Sequence, residues 1–547
     1  MTHLVRLLTL LGLGGPLLLG LGALLLGALP VSAPLVFGNG SYPDWQALLL
    51  APGLLRAVLL TGWIALASTL LGFALLCALL AHGWGSAALT RLSGRLSPLL
   101  ALPHVAFAVG LAFMLAPSGW LLRLPAQLFN WSQPPDWQTL RDPLGCGLIV
   151  VLLLKELPFL LLMALARLPE QAINRQLMVG RSLGFAPAQI WWRLLIPSLW
   201  PVMRLPLAAV AAYGCGVVDL PLLLGPDAPP VLAQQLWLWS QSADLTLHPL
   251  AHRGALLLLA LTLLVLGILR ALEWGYCHAM KRYWLDGIRR TARHYEWPAG
   301  FTRAITCIYL LVLTALLLWS LARRWPFPAL LPQGVTARLW QESLASVWPL
   351  LAQTLLLAVL SATLALIWAL LELESRRPMA LWFICLPLLL PQASLLLGIE
   401  LALARLNIEP GFSTVLAGHL LWVFPYVYLC LHGPWQGFDQ RLLIAAQSLG
   451  ASPWRSVVRI KLPLLIRPLM AAFAVGLAVS LAQYLPTLLL GGGRIITLTT
   501  EAVAIGSGLN RRLAGLYGLL QTLIPLLGFA LALWLPGRVN PLERRTC

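Results

Sequence analysis

Charge is what this chain has least of. Only 10% of its 547 residues are Asp, Glu, Lys or Arg, against 59% hydrophobic residues, and the mean hydropathy is +0.83. A soluble domain carries roughly 25% charged residues, so this chain cannot cover a water-facing surface. Its apolar residues come in unbroken blocks of about 20, not in alternating ten-residue segments. That excludes a β-barrel and leaves an all-α integral membrane protein. Acid is scarcer than base: 19 Asp and Glu against 37 Lys and Arg, a net charge of +18. In a membrane protein such an excess gathers in cytoplasmic loops beside anionic lipid, and no nucleic-acid partner is expected. The eight cysteines include no CxxC pair and the nine histidines no HxxxH or HExxH spacing, so no disulfide frame or metal site is indicated. His104 and His419 read as hydrogen-bonded structural residues. A GxxxxGK[ST] stretch is missing too, so any ATP hydrolysis must come from another polypeptide.

What is present is greasy and periodic. Twelve spans can be drawn, at about 7–29, 54–81, 97–121, 144–166, 203–225, 253–275, 304–322, 350–371, 381–404, 414–432, 468–490 and 513–535. The first follows only Arg6 and lacks a convincing small-residue cleavage site, so it reads as a retained helix and not a signal peptide. Alternate loops differ in positive charge. One side holds Arg91 and Arg95, the run from Arg167 to Arg204, Lys281 to Arg303, Arg376 and Arg377, Arg441 to Arg467, and Arg538 to Arg545. The other holds far fewer and is rich in Trp, Pro and Gly. The bias predicts that both termini are cytoplasmic.

A search for self-similarity finds a duplication. Thr61 and Ser68 match Thr354 and Ser361, both pairs 293 apart. Leu102-Pro103 with Gly110 matches Leu390-Pro391 with Gly398, 288 apart. Ser182-Leu183-Gly184 and Pro197 match Ser448-Leu449-Gly450 and Pro463, 266 apart. The expected organisation is a first repeat at 1–275, a basic cytoplasmic linker at 276–303 and a second repeat at 304–547. Six spans per half gives two parallel copies related by a pseudo-twofold axis along the membrane normal.

Two polar stretches interrupt the grease at matched places, Ile173–Pro197 and Phe438–Pro463. In the second, Asp439 can cap a short helix running to Leu449. Gly450 sits where a helix end wants a left-handed residue, and Ser452-Pro453 supplies an N-cap and first-turn proline for a further short helix. A helix–glycine–helix elbow of this kind is a surface for another protein to grip. Trp454, Val457, Val458 and Lys461 form one stripe of its second helix; Ile190, Trp191 and Leu194 form the counterpart.

Few charges lie within the spans. Lys155 and Glu156 sit mid-span, each costing about 2.5–3.5 kcal/mol at a helix centre, so at least one should face the bundle interior. They are candidates for a translocation path or for a buried structural pair. Glu400 is a similar candidate, with Arg405 as a possible partner. Asp219 and Tyr484, each before Leu-Pro, lie near span ends and read as interfacial. Glu372 and Glu374, beside Arg376 and Arg377, read as a solvated end.

The elbows resemble the EAA loop of binding-protein-dependent ABC importer permeases: Glu-Ala-Ala, three residues, Gly, and a later apolar-Pro. Ala445, Ala446, Gly450 and Leu462-Pro463 match, with Ile444 in place of the Glu. In the first copy Gly184 and Ile196-Pro197 match, with Met178-Val179-Gly180 at the triplet. The fused two-copy chain is similar to ferric-iron and thiamine permeases and, partly through Lys155–Phe159 (KELPF), to the YnjC type. The resemblance implies a type I importer fold in the bacterial inner membrane. It implies two copies of a cytoplasmic ATPase subunit docked on the elbows, through Gly184, Trp191, Pro197, Ala445, Ala446, Gly450, Trp454, Arg459 and Pro463. ATP and Mg would be bound by those partners and no cofactor by this chain, and substrate would arrive on a periplasmic binding protein. The alternative is a twelve-span secondary transporter, which shares the parallel repeat but has no need of matched elbows. A membrane-embedded enzyme would need a convergent polar cluster that the sequence does not reveal.

Overall fold

The structure, a computed structural model, describes residues 2–28, 45–94, 96–137, 139–284, 287–289, 297–375, 377–508 and 510–535. Both termini, Arg95, Arg376 and most of the linker between 285 and 296 lie outside the described residues, so the expected cytoplasmic ends and linker are described only in part.

The chain is helical nearly throughout. In order run α1 (His3–Ala28), α2 (Leu54–Gly83), α3 (Ala87–Ser93), α4 (Leu96–Ala101), α5 (His104–Leu115), α6 (Trp120–Leu128) and α7 (Cys146–Arg167). Then come α8 (Glu170–Ser182), α9 (Pro187–Gly216), α10 (Asp219–Leu224), α11 (Leu232–Ser240), α12 (His248–Trp284) and α13 (Trp297–Leu321). A small antiparallel hairpin, β1 (Ala322–Arg324) with β2 (Gln333–Val335), leads into α14 (Arg338–Leu373). Short turns at 381–389 precede α15 (Gln392–Arg405), α16 (Phe412–Gln436), α17 (Arg441–Ser448), α18 (Pro453–Leu464), α19 (Ile466–Leu481), α20 (Leu485–Gly491), α21 (Leu498–Gly506) and α22 (Arg511–Trp534).

Among the described residues ten helices are long and apolar enough to cross a membrane, or eleven if α18 and α19, bent by 77°, count as one. The ninth and eleventh of the twelve drawn spans are too short in the structure to be among the ten, and several breaks are set by proline. It lacks an N–H and clashes with the carbonyl four residues back. Pro103 separates α4 from α5, and Pro391 divides the expected ninth span into the turns at 381–389 and the 14-residue α15. The expected fifth span starts earlier than drawn, at Pro187, and stops at Gly216.

Packing depends on close backbone approach, as it must where lipid is as apolar as leucine. Leucines such as Leu18, Leu55 and Leu263 point outward, while others such as Leu76, Leu80 and Leu160 fill the core and glycines mark the closest helix crossings. The helix that opens each half packs on the other half. α1 lies on α15, where a Cβ at Gly398 would run into the Gly20 carbonyl oxygen. α13 lies on α5, where a Cβ at Gly110 would stand 2.6 Å from Val312. The Thr pair found in sequence has matching work. The first amide of a helix has no partner within it. Thr61 accepts from the Leu232 N–H at 2.8 Å, and Thr354 accepts from the Leu498 N–H at 2.9 Å. Arg123, just past the third span drawn, is buried, its guanidinium donating to the carbonyls of Ser118, Trp325, Pro326 and Ala329.

Candidate functional site

The second elbow forms by local chemistry. Asp439 accepts from the Arg441 N–H at the start of α17, Gly450 has φ +88°, and Ser452 accepts from the Arg455 N–H with Pro453 opening α18. In the first elbow Gly184 has φ +85° and Pro187 opens α9. Both elbows then widen into a π turn at matched positions, Trp191–Leu195 and Val457–Lys461. Such turns often mark functional positions. Gly180 is the small residue of its triplet: a Cβ there would run into the Ile190 side chain, because the second arm of the elbow crosses at this point. The elbows diverge after the π turn. The second arm of the first copy is no separate short helix but runs unbroken into the span as α9, whereas α18 turns sharply into α19.

Burial corrects the expected docking stripes. Trp191 is fully buried, its ring 5.3 Å from Trp84, whose indole N–H donates to Asn174 of α8. Ile190, Pro197 and Val457 are buried as well. The exposed apolar face is made by Met178, Leu183 and Leu194 in the first copy and by Ile444, Leu449, Trp454 and Val458 in the second. Ala445, Arg459 and Pro463 are exposed and Ala446 half-buried. Lys461 turns inward. Its ammonium lies 2.8 Å from Glu374 and 4.0 Å from the Trp435 ring centroid, tying the elbow to the end of α14. Glu372 is not solvated either: it is buried, accepting from Thr9 and from the Met379 N–H. The first elbow has other ties. Gln189 donates to the Ile288 carbonyl and Tyr276 to the Trp192 carbonyl.

The break at Pro103 and the paired charges meet at the centre of the bundle. Lys155 donates to the carbonyls of Leu102 at 2.6 Å and Leu99 at 3.2 Å, and so caps the negative end of α4. Its neighbour Glu156 points elsewhere and meets His104 at 3.3 Å. Glu156 and His104 line a cavity of about 190 Å³ with Tyr213 and Tyr426. A second lobe of about 140 Å³ shares His104, Tyr213 and Tyr426 and adds Asp219, Gln392, Gln483 and Tyr484. Asp219 and Tyr484 are therefore interior and not interfacial. The breaks after Gly216 and Leu481 turn these positions inward, and the repeated Leu-Pro that follows each was the available signal. Gln392 donates to Gln483 at 3.1 Å. His419 lies apart, buried and bonded to Ser480 and Thr487. Glu400 lines neither lobe and makes no ion pair among the described residues. Five positions apart on a helix, it and Arg405 point about 140° away from each other.

A helical bundle with broken helices around a polar interior cavity defines a multi-pass membrane transport protein. No protein-family model matches the chain. It is 36% identical over 513 residues, 92% of each chain, to the inner membrane ABC transporter permease protein YnjC of Escherichia coli (strain K12). It is also 30% identical over 23% of its length, and 43% of the relative's, to a PotC homolog, a spermidine/putrescine transport system permease protein of Mycoplasma genitalium. To the 2-aminoethylphosphonate transport system permease protein PhnV of Salmonella typhimurium it is 26% identical, over 35% of its length and 76% of the relative's. The chain belongs to the permease family of ABC transporters, and its relatives are transport subunits of importers, not enzymes. That assignment sets aside the secondary-transporter reading and accounts for the multi-pass inner-membrane architecture.

Proposed function

We propose that this permease forms the translocation path of an ATP-driven importer in one chain, with repeats at 1–275 and 304–547 joined by the linker at 276–303. Two copies of a cytoplasmic ATPase subunit grip the two elbows, and a periplasmic binding protein delivers the solute. ATP and Mg stay on the ATPase. Closure of the ATPase pair draws the elbows together and rocks the halves between inward- and outward-facing states. The path runs through the cavity beside Glu156, with Lys155 holding its wall. Glu400, proposed for the path with them, stands outside that cavity and finds no support in its surroundings.

The observation that carries this reading is the matched pair of elbows. Each has a left-handed glycine at its tip, Gly184 or Gly450, preceded by an exposed leucine, Leu183 or Leu449. An exposed apolar tip on a charged arm suits a groove in a soluble partner. The test is co-expression with the ATPase encoded beside the gene. A stable complex is expected, lost on Arg459→Glu with Gly450→Pro and weakened by Leu183→Asp or Leu449→Asp. A complex that survives all of these changes would remove the elbows from the docking surface.

A further inference from the structure

We propose that the central cavity takes an organic cation, a small solute whose ammonium-like group sits between Glu156 and Asp219 against the faces of Tyr213, Tyr426 and Tyr484. This rests on the reading of the cavity as part of the path.

The charge inventory points one way. Among the described residues no arginine lines either lobe, and Lys155 is the one lysine. Its ammonium is held by the Leu99 and Leu102 carbonyls and lies against the rings of Phe107 and Tyr309, at 5.7 and 5.6 Å from their centroids. It is spent on the wall. Among the described residues Glu156 has His104 as its one ion partner within 4 Å, with the Lys155 ammonium the other charge near it. Asp219 is 8% exposed and makes no ion pair within 4 Å among the described residues; the amides of residues 219 and 220, on its own short helix, approach its carboxylate, and the His104 ring it shares with Glu156 lies near. A buried carboxylate without a counter-charge is costly, and a cation arriving in the cavity relieves that cost.

The remaining walls select the kind of cation. The hydroxyls of Tyr213, Tyr426 and Tyr484 make no hydrogen bond to the protein among the described residues, and all three side chains line the cavity, the Tyr213 ring packing against His104 at 5.2 Å. Aromatic faces beside carboxylates are the surroundings that attract ammonium groups. The inward lobe is otherwise apolar, with Leu100, Phe159 and Leu162. A bare metal ion is a poor occupant: among the described residues no group of three His, Cys, Asp or Glu side chains could ligate one. The size fits as well, since a cavity of about 150 Å³ accommodates benzene.

Cys430, a half-buried native cysteine in the cavity wall, provides the test. The full chain in lipid nanodiscs is treated with a cationic (trimethylammonioethyl) or an anionic (sulfonatoethyl) methanethiosulfonate. Labelling of Cys430 is followed by peptide mass spectrometry and normalised to each reagent's rate with N-acetylcysteine. A local potential of a kT or more favours the cation by about tenfold. Glu156→Gln and Asp219→Asn should each bring the ratio toward one. Choline should slow the labelling, while its uncharged isostere 3,3-dimethylbutan-1-ol should not. A ratio at or below one, or one that neither substitution changes, overturns the cation and leaves the path standing. If neither reagent reaches Cys430, the cavity is closed and the path reading falls with it. Should Glu156→Gln fail to fold, Asp219→Asn decides alone.

Discussion

Lys461 and Glu374 allow a prediction whose order, not only its size, follows from burial. The pair spans α14 and the second elbow at 2.8 Å, with the Lys461 side chain 3% exposed and that of Glu374 27% exposed. Breaking a buried pair from one side costs about 3–5 kcal/mol, because the surviving charge stays behind unpaired. Lys461→Met leaves Glu374, which can recover part of its water, so the cost should fall to about 2–3 kcal/mol. Glu374→Ala leaves an ammonium that has almost no water to return to. Only the faces of Trp435 and Phe438, at 4.0 and 5.8 Å, remain for it, together worth about 1–2 kcal/mol. That variant should lose about 3–5 kcal/mol and be the worse of the two. Lys461→Met with Glu374→Ala removes both charges and should recover at least about 2 kcal/mol of the summed losses. The assay is equilibrium unfolding in mixed micelles, followed by tryptophan fluorescence. Additivity within about 0.5 kcal/mol, or a Lys461 variant worse than the Glu374 variant, would refute the reasoning.

Two further changes probe the local devices. Lys155→Met strands the carbonyls of Leu99 and Leu102, so a loss of about 2–4 kcal/mol is expected together with faster amide hydrogen exchange across α4; unchanged exchange there would sink the capping role. Gly450→Ala should cost about 1 kcal/mol through its left-handed backbone alone, since nothing lies within 4 Å of the added Cβ. Gly184→Ala should cost more, because Arg289 stands 3.2 Å from the new atom, and melting curves of the two variants give the comparison.

Features set by neighbours in sequence were legible before any coordinates. Asp439, Gly450 and Ser452-Pro453 cap and turn the second elbow as their residue types require, and long apolar runs announced the helices. What needed the structure was any property set by distant chain. Glu372 looked solvated beside two arginines, yet Thr9 of α1 reaches it from the far end of the sequence. Trp191 and Trp454 looked alike as docking residues, but they stand at different points of their elbows, one sealed against Trp84 and the other open. The cavity combines the two cases. Its prolines and Leu-Pro pairs could be read in the sequence. That His104, Glu156, Asp219 and Tyr484 converge could not, because the first three lie on different helices and Tyr484 in the break before α20.

The exchange of opening helices between halves has a consequence for synthesis. Gly20 of α1 rests against Gly398, so α1 enters the bilayer roughly 380 residues before its seat exists. At about 5–20 residues per second, that is on the order of 20–80 s during which a helix with its small-residue face bare must wait in lipid or beside the insertion machinery. The first half therefore cannot finish assembling until translation is well into the second, and a ribosome that stalls before residue 398 would release a bundle with one helix adrift.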